Sequence, residues 1–125
     1  MERRKFTVRD RLKSFRYAFN GLRQLFIEEP NSRIHLAAAI CAITAGFVFK
    51  IRTTEWMAVL FAIGFVFAAE LFNTSIEKFS DFVSPVKNEN IKEIKDLAAA
   101  GVLVSAVTAL IIGLIVFLPE ILKLI

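Results

Sequence analysis

The chain is poor in the residues that staple small folds. It has a single cysteine, Cys41, in 125 residues. That excludes a disulfide within one chain and any multi-cysteine metal site. No Walker-type glycine–lysine loop occurs, and no protein-kinase signature, so neither familiar nucleotide-binding architecture is encoded. The N-terminus is basic, but no apolar run with a small-residue cleavage site follows it closely, so no secretory signal is expected. Only three prolines, Pro30, Pro85 and Pro119, interrupt the chain, and long stretches between them carry no break signal.

What is present is apolar. Hydrophobic residues make up 56% of the chain, and mean hydropathy is +0.58. The length allows one domain, residues 1–125. The formal net charge is +4, with an isoelectric point near 9.5. The basic residues flank apolar runs instead of covering a polar face, which points to anionic lipid headgroups and away from nucleic acid.

Residues 1–29 open with Arg3, Arg4, Lys5, Arg9, Arg11, Lys13, Arg16 and Arg23, interleaved with Val8, Leu12, Phe15, Phe19, Leu22 and Phe26. The apolar positions recur every three or four residues, which predicts one stripe of a basic amphipathic helix lying in a membrane interface. Packing on another protein, as a calmodulin-type target does, is the alternative, and docking of the stripe on the chain's own spans is compatible with both. Glu28-Glu29-Pro30-Asn31 ends this helix, because a residue before proline disfavours helical backbone, and Asn31 or Ser32 is expected to cap the next one.

Three membrane spans are predicted, at 34–51, 56–77 and 97–118, the last ending before Pro119. The first has 18 residues, about 27 Å at the helical rise, just enough for a bilayer core of about 30 Å. Trp56 is an interface anchor at the start of the second. A polar loop is expected over 78–96. Lys and Arg concentrate before residue 34 and in that loop, so both are expected on the cytoplasmic side of the membrane, with the C-terminus opposite.

The stretch Glu70-Leu71-Phe72-Asn73-Thr74-Ser75-Ile76-Glu77 follows an apolar run without a break. Spacings of three, four and seven place Glu70, Asn73 and Glu77 on one helix face, with Asp81 one turn further. Ile76, Phe79, Phe82 and Val83 carry an apolar face past Glu70, so the span does not simply end there. An acid in an apolar span is expensive and marks a functional site. With Trp56 at the outer interface, Glu70 lies about 21 Å inward and Glu77 about 31 Å, near the cytoplasmic edge. A lipid hydroxyl could meet Glu70, while water-soluble phosphates and metal could reach Glu77. A carboxylate in apolar surroundings is expected to accept a proton more readily than one in water, which suits a general base acting on a hydroxyl. Glu77 with Glu29 could hold Mg²⁺, which takes one or two protein carboxylates plus substrate phosphates. Lys95 beside Asp96 could meet a phosphate or snorkel at the interface. Glu28 and Glu29 would equally suit solvated turn acids. His35 fits a structural hydrogen bonder as well as a substrate contact.

Glu70-x-x-Asn73-x-x-x-Glu77, Asp81, Lys95-Asp96-x-Ala98-Ala99 and the upstream Tyr17-x-x-x-Gly21-Leu22…Glu29 together resemble the small prokaryotic diacylglycerol kinase family. The resemblance runs from about Ser14 to Ser105. It implies an all-α integral membrane protein, a homotrimeric bundle with one surface helix and three spans per subunit, in the bacterial inner membrane. It implies a lipid kinase using ATP and Mg²⁺ on a lipid alcohol, undecaprenol or diacylglycerol, at a site shared between subunits. By position, Glu70 corresponds to the catalytic base and an acceptor contact. Glu29 and Glu77 correspond to the metal ligands, and with Tyr17, Asn73, Lys95 and Asp96 to the nucleotide contacts. Arg33 and Ala99 correspond to acceptor contacts. Asp10 stands where some members have a basic nucleotide contact, and Ala99 where some have serine. Arg33-Ile34-His35 resembles the undecaprenol-phosphorylating branch. Two other classes compete on the residues alone. A proton-coupled exporter would use Glu70 but leave Asn73, Glu77, Lys95 and Asp96 unexplained. A lipid-binding adaptor would leave Glu70 without a reason.

Overall fold

The computed structural model describes residues 5–125; Arg3 and Arg4 of the basic segment lie outside the described residues. Four helices follow in order: α1 (Val8–Glu28), α2 (Pro30–Val48), α3 (Thr53–Val83) and α4 (Glu89–Leu122). No strand occurs among the described residues. By length and composition α2, α3 and α4 are each able to cross a membrane. α4 packs along much of α3, while α1 and α2 meet α3 over shorter stretches.

Thr7 caps α1, its hydroxyl accepting from the Asp10 amide at 3.1 Å. The helix stops where Pro30 forces Glu29 into extended backbone, φ −108° and ψ 108°. Glu29 therefore closes α1 and opens α2, with Pro30 at the first helical position, where its missing N–H costs nothing. The expected cap at Asn31 or Ser32 does not form, because proline moves the helix start upstream. Ser32 instead is fully buried and its hydroxyl turns back, reaching the Glu29 carbonyl at 2.6 Å and the Leu25 carbonyl at 3.1 Å. Arg33 reinforces the same junction, its Nε donating to the Phe26 carbonyl at 2.8 Å and its Nη2 to the Ile27 carbonyl at 2.7 Å. These are orphan carbonyls of the last turn of α1, which need donors.

The stripe of α1 is used unevenly. Leu25 is buried, Leu22 and Phe26 are half-buried, and Phe26 meets Phe67 of α3 edge-on at 5.7 Å. Val8, Leu12, Phe15 and Phe19 stay exposed. Only the last two turns of α1 are anchored on the spans.

α2 ends in a Schellman turn. The Ile51 amide donates to the Gly46 carbonyl at 3.1 Å and the Lys50 amide to the Phe47 carbonyl at 3.3 Å. Lys50 takes the left-handed position, φ 51°. α2 thus spans 30–48, where the hydropathy pattern suggested 34–51. The 78–96 segment is also shorter as a loop than its polarity suggested. α3 continues to Val83 and α4 begins at Glu89, leaving 84–88 between them. Ser84-Pro85 supplies the break, and Asn88 caps α4, its Oδ1 accepting from the Asn90 amide at 2.8 Å. Polar residues there are the ends of helices longer than a bilayer: α3 has 31 residues, about 46 Å, against a core of about 30 Å. Pro119 does not end α4, which runs to Leu122. Proline that close to the end removes one backbone donor but leaves the final turn intact.

The core lies at the end of the bundle remote from Glu70. Val59, Ile51 and Val116 pack there with Trp56, Phe49, Ile63 and Phe117. Gly46 admits the indole: a Cβ there would stand 2.6 Å from Cη2 of Trp56. Gly46→Ala should therefore destabilise by about 1–3 kcal/mol through overpacking. Thermal unfolding in detergent should show the loss, together with a shifted emission of the sole tryptophan; an unchanged melting temperature would mean the ring moves aside freely.

Candidate active site

α3 carries the polar face. Glu70 is 3% exposed and Thr74, one turn on, 8%. Asn73 and Glu77 are half-buried and Asp81 is exposed. Burial thus falls away along about 16 Å of helix, as the apolar-to-polar gradient of the sequence requires. Asn73 Nδ2 donates to Glu77 Oε1 at 3.4 Å. Glu70 Oε1, Asn73 Oδ1 and Thr74 Oγ1 are buried without a hydrogen-bond partner. Buried polar atoms are nearly always satisfied, and a helical threonine ordinarily bonds a carbonyl one turn back. Three open polar atoms within two turns mark the face on which a ligand would complete the bonding.

α2 brings His35 to this face. Its Nε2 stands 3.1 Å from Glu70 Oε1, within ion-pair reach but without an aligned hydrogen bond, since Oε1 remains unpartnered.

The α1–α2 junction delivers Glu29. Burial and the negative charges of Glu77, Glu70 and Glu28 push its carboxyl above its ordinary value. Lys78, whose ammonium pairs with Glu28 at 2.5 Å, offsets this only slightly. Glu28 in turn is held below its ordinary value by hydrogen bonds from Lys78 and Gln24. Adjacent acids therefore diverge: Glu28 is paired with a cation, and around Glu29 burial and acids outweigh Lys78. No group of three or more metal-ligating side chains forms among the described residues. Glu29, whose carboxyl is crowded by acids, and the half-buried Glu77 are the carboxylates that would hold a magnesium ion, which takes its other ligands from water and phosphate.

The remaining positions lie apart within one chain. Lys95 pairs with Asp81 at 2.5 Å, and Asp96 with Lys92 at 2.7 Å. These line a cleft of about 600 Å³ at the α3–α4 turn with Lys87 and Asn88. Tyr17 is exposed on α1, about 18 Å along the helix from Glu29. Ala99 is exposed on α4, and Arg33 is at the junction with two donors engaged. Glu70, Asn73 and Glu77 share one face of α3, with Glu29 close enough for the charges of the two acids to act on it; Lys95 reaches the end of that face through Asp81, while Tyr17 and Ala99 stay exposed on their own helices. Thr74 and the Glu28–Lys78 pair join the site only in the folded chain. Thr74 was visible as the residue one turn after Glu70, whereas the ion pair joins residues fifty positions apart.

An apolar cavity of about 110 Å³ runs between α2, α3 and α4, lined by Ala38, Ala39, Ala42, Val66 and Ile112 among others. His35 stands in its wall and links it to Glu70.

The sequence profile of prokaryotic diacylglycerol kinase matches residues 16–117. The chain is 39% identical over 108 residues to the undecaprenol kinase of Bacillus subtilis (strain 168), covering 86% of this chain and 88% of that one. It is 34% identical over 114 residues to a diacylglycerol kinase of Synechocystis, covering 90% and 65%. It is 31% identical over 96 residues to that of Helicobacter pylori, covering 76% and 74%.

The raised carboxyl of Glu29 has a stability consequence with a definite sign. The folded chain holds that proton more readily than the unfolded chain, so ionising Glu29 at neutral pH weakens the fold, and the penalty disappears in acid. With metal chelated, Glu29→Gln should melt higher than wild type at neutral pH and equal to it at roughly pH 4. A lower melting temperature for the variant at neutral pH would contradict the crowding of acids around Glu29.

Proposed function

The chain belongs to the prokaryotic diacylglycerol kinase family, and on that footing we propose that it is an ATP- and Mg²⁺-dependent lipid kinase with undecaprenol as acceptor. The observation that carries the reading is the graded acidic face of α3, with Glu70 buried and Glu77 half-buried about 10 Å further along. A lipid alcohol carries its hydroxyl in the membrane interface, and a nucleotide arrives from water. A buried base next to a more accessible acidic pair serves both.

Glu70 would hold the acceptor hydroxyl through Oε1, which has no hydrogen-bond donor of its own. As the hydroxyl oxygen attacks the γ-phosphorus in line, its proton passes to the Glu70 carboxylate. The new bond joins that oxygen to phosphorus, the β–γ bridging bond breaks, and ADP leaves. Glu29 and Glu77 would hold Mg²⁺, which when bound neutralises charge on the phosphates. Asn73 fixes the Glu77 carboxylate through its amide. Lys95 and Asp96 would receive the nucleotide, exchanging their present partners Asp81 and Lys92 for it. Arg33 and Ala99 would border the acceptor. The cavity beside His35 gives the first apolar carbons of that acceptor a dry path toward the bilayer centre.

Undecaprenol is preferred over diacylglycerol because the 39% identical relative is an undecaprenol kinase, while the relatives at 34% and 31% are diacylglycerol kinases. The product would be undecaprenyl phosphate; with diacylglycerol it would be phosphatidic acid. Family membership disfavours the exporter reading of Glu70.

A homotrimer in the bacterial inner membrane, with the N-terminus cytoplasmic, accompanies this reading. Two observations support a composite site. Tyr17 is far from Glu29 in its own chain, and α2, α3 and α4 expose Ile40, Phe61, Phe72, Leu103 and Leu110, apolar surface that lipid and further subunits would cover.

The test is transfer of radiolabelled γ-phosphate in mixed micelles, with undecaprenol and diacylglycerol side by side and Mg²⁺ present or chelated. Label should enter undecaprenol faster, only with Mg²⁺. Glu70→Gln should lower turnover by about 10²- to 10⁴-fold, the usual contribution of a general base. Near-normal turnover in that variant would remove Glu70 from its role. Glu77→Gln should raise the Mg²⁺ concentration needed for half-maximal rate; an unchanged requirement would exclude it as a ligand.

A further inference from the structure

We infer that His35 is a positioning residue that holds Glu70 in the orientation of a general base, an assignment that rests on the kinase reading above. Glu70 has two calls on its carboxylate. Glu29 lies close enough to feel its charge, so a cation held by Glu29 and Glu77 would also attract Glu70. As a base for a lipid hydroxyl, Glu70 must instead keep an oxygen open. The side chain has two rotatable bonds below Cβ and, alone in apolar surroundings, would follow the nearest positive charge.

His35 opposes that. It is fixed on α2 less than two turns after the Ser32 junction, which is rigid because Ser32 and Arg33 bond back to α1. Its Nε2 is 3.1 Å from Glu70 Oε1. The ring is itself three-quarters buried, 24% exposed, and is the single polar member of the wall of the cavity between α2, α3 and α4. Apolar neighbours such as Ala38, Ala39 and Phe67 offer it no other hydrogen-bonding partner there. The imidazole therefore holds Glu70 beside the cavity wall in which His35 itself stands, where the apolar end of an acceptor would arrive. Its N–H is not aligned on Oε1, so the anchor leaves that oxygen able to accept from the acceptor hydroxyl.

His35 is the only histidine in the chain, so isotopic labelling of histidine reports on one residue. Two measurements test the inference. In the phosphate-transfer assay, His35→Leu should lower kcat by about ten- to a hundredfold, the cost of misplacing a reacting group, with KM for ATP unchanged. His35→Gln, whose amide nitrogen can approach Glu70, should recover most of the loss. In the second, the imidazole nitrogen resonances of the labelled protein should shift on Glu70→Gln and stay in place on Glu55→Gln, a remote control. Wild-type kcat in His35→Leu, equal losses in His35→Leu and His35→Gln, or resonances indifferent to Glu70→Gln would each overturn the positioning role. A wild-type protein that phosphorylates neither lipid alcohol would instead overturn the kinase reading on which it rests, and the resonance shift would still decide whether His35 faces Glu70.

Discussion

A carboxyl group buried in an apolar helix is the constraint on which the rest of the molecule depends. Removing a charged acid from water costs several kcal/mol unless it is paired, hydrogen-bonded or protonated. Glu70 is almost fully buried, with one imidazole nitrogen near one of its oxygens and no aligned donor there. A structure built only for stability would place leucine here. In the proposed kinase the position is what matters: the buried acid lies two turns from the more accessible Glu77, on the same face of one continuous helix. Rigidity of that helix sets the interval between them, which loops could not do.

The α1–α2 junction solves the complementary problem of bringing acids from elsewhere to that face. A proline compels the chain to turn at Glu29, and Ser32 and Arg33 satisfy the backbone carbonyls that the turn exposes. Glu28 then reaches Lys78 of α3, which clamps the end of α1 on the end of the span. The ion pair leaves Glu29 facing Glu77 and Glu70 with little positive charge to balance it. The same ion pair thus links α1 to α3 and takes up the Lys78 ammonium, leaving the neighbouring acid crowded by like charge. The local electrostatics follow from which of two adjacent glutamates the lysine can reach.

The outer parts of the molecule are less self-contained. Buried apolar residues gather at the far end of the bundle, while large apolar side chains remain exposed on all four helices. For a chain in lipid this is ordinary, since lipid tails and neighbouring helices are similar solvents for such residues. The exposed aromatic half of the α1 stripe suits a membrane interface. The ion pairs Asp81–Lys95 and Lys92–Asp96 sit on the exposed ends of α3 and α4, where water screens them and their exchange for another partner costs little.

Much of this was readable in the chain itself. Apolar runs of the right length specified three spans, because hydropathy acts residue by residue and needs no partner. The spacing of Glu70, Asn73 and Glu77 specified a shared face, because helical period alone determines it, and the same motif identified the family. Helix ends were less legible: Pro30 moved the α2 start upstream of the expected cap, and the polar 78–96 segment is mostly the overhanging ends of two long helices. The tertiary structure alone decided which distant groups meet. Glu28 with Lys78 and His35 with Glu70 are each joined across separate helices, and no periodicity within one helix encodes such a meeting. It arises from the angle at which α1 and α2 leave a proline turn and from how closely they pack on α3, properties of the assembled bundle and of no single stretch of sequence.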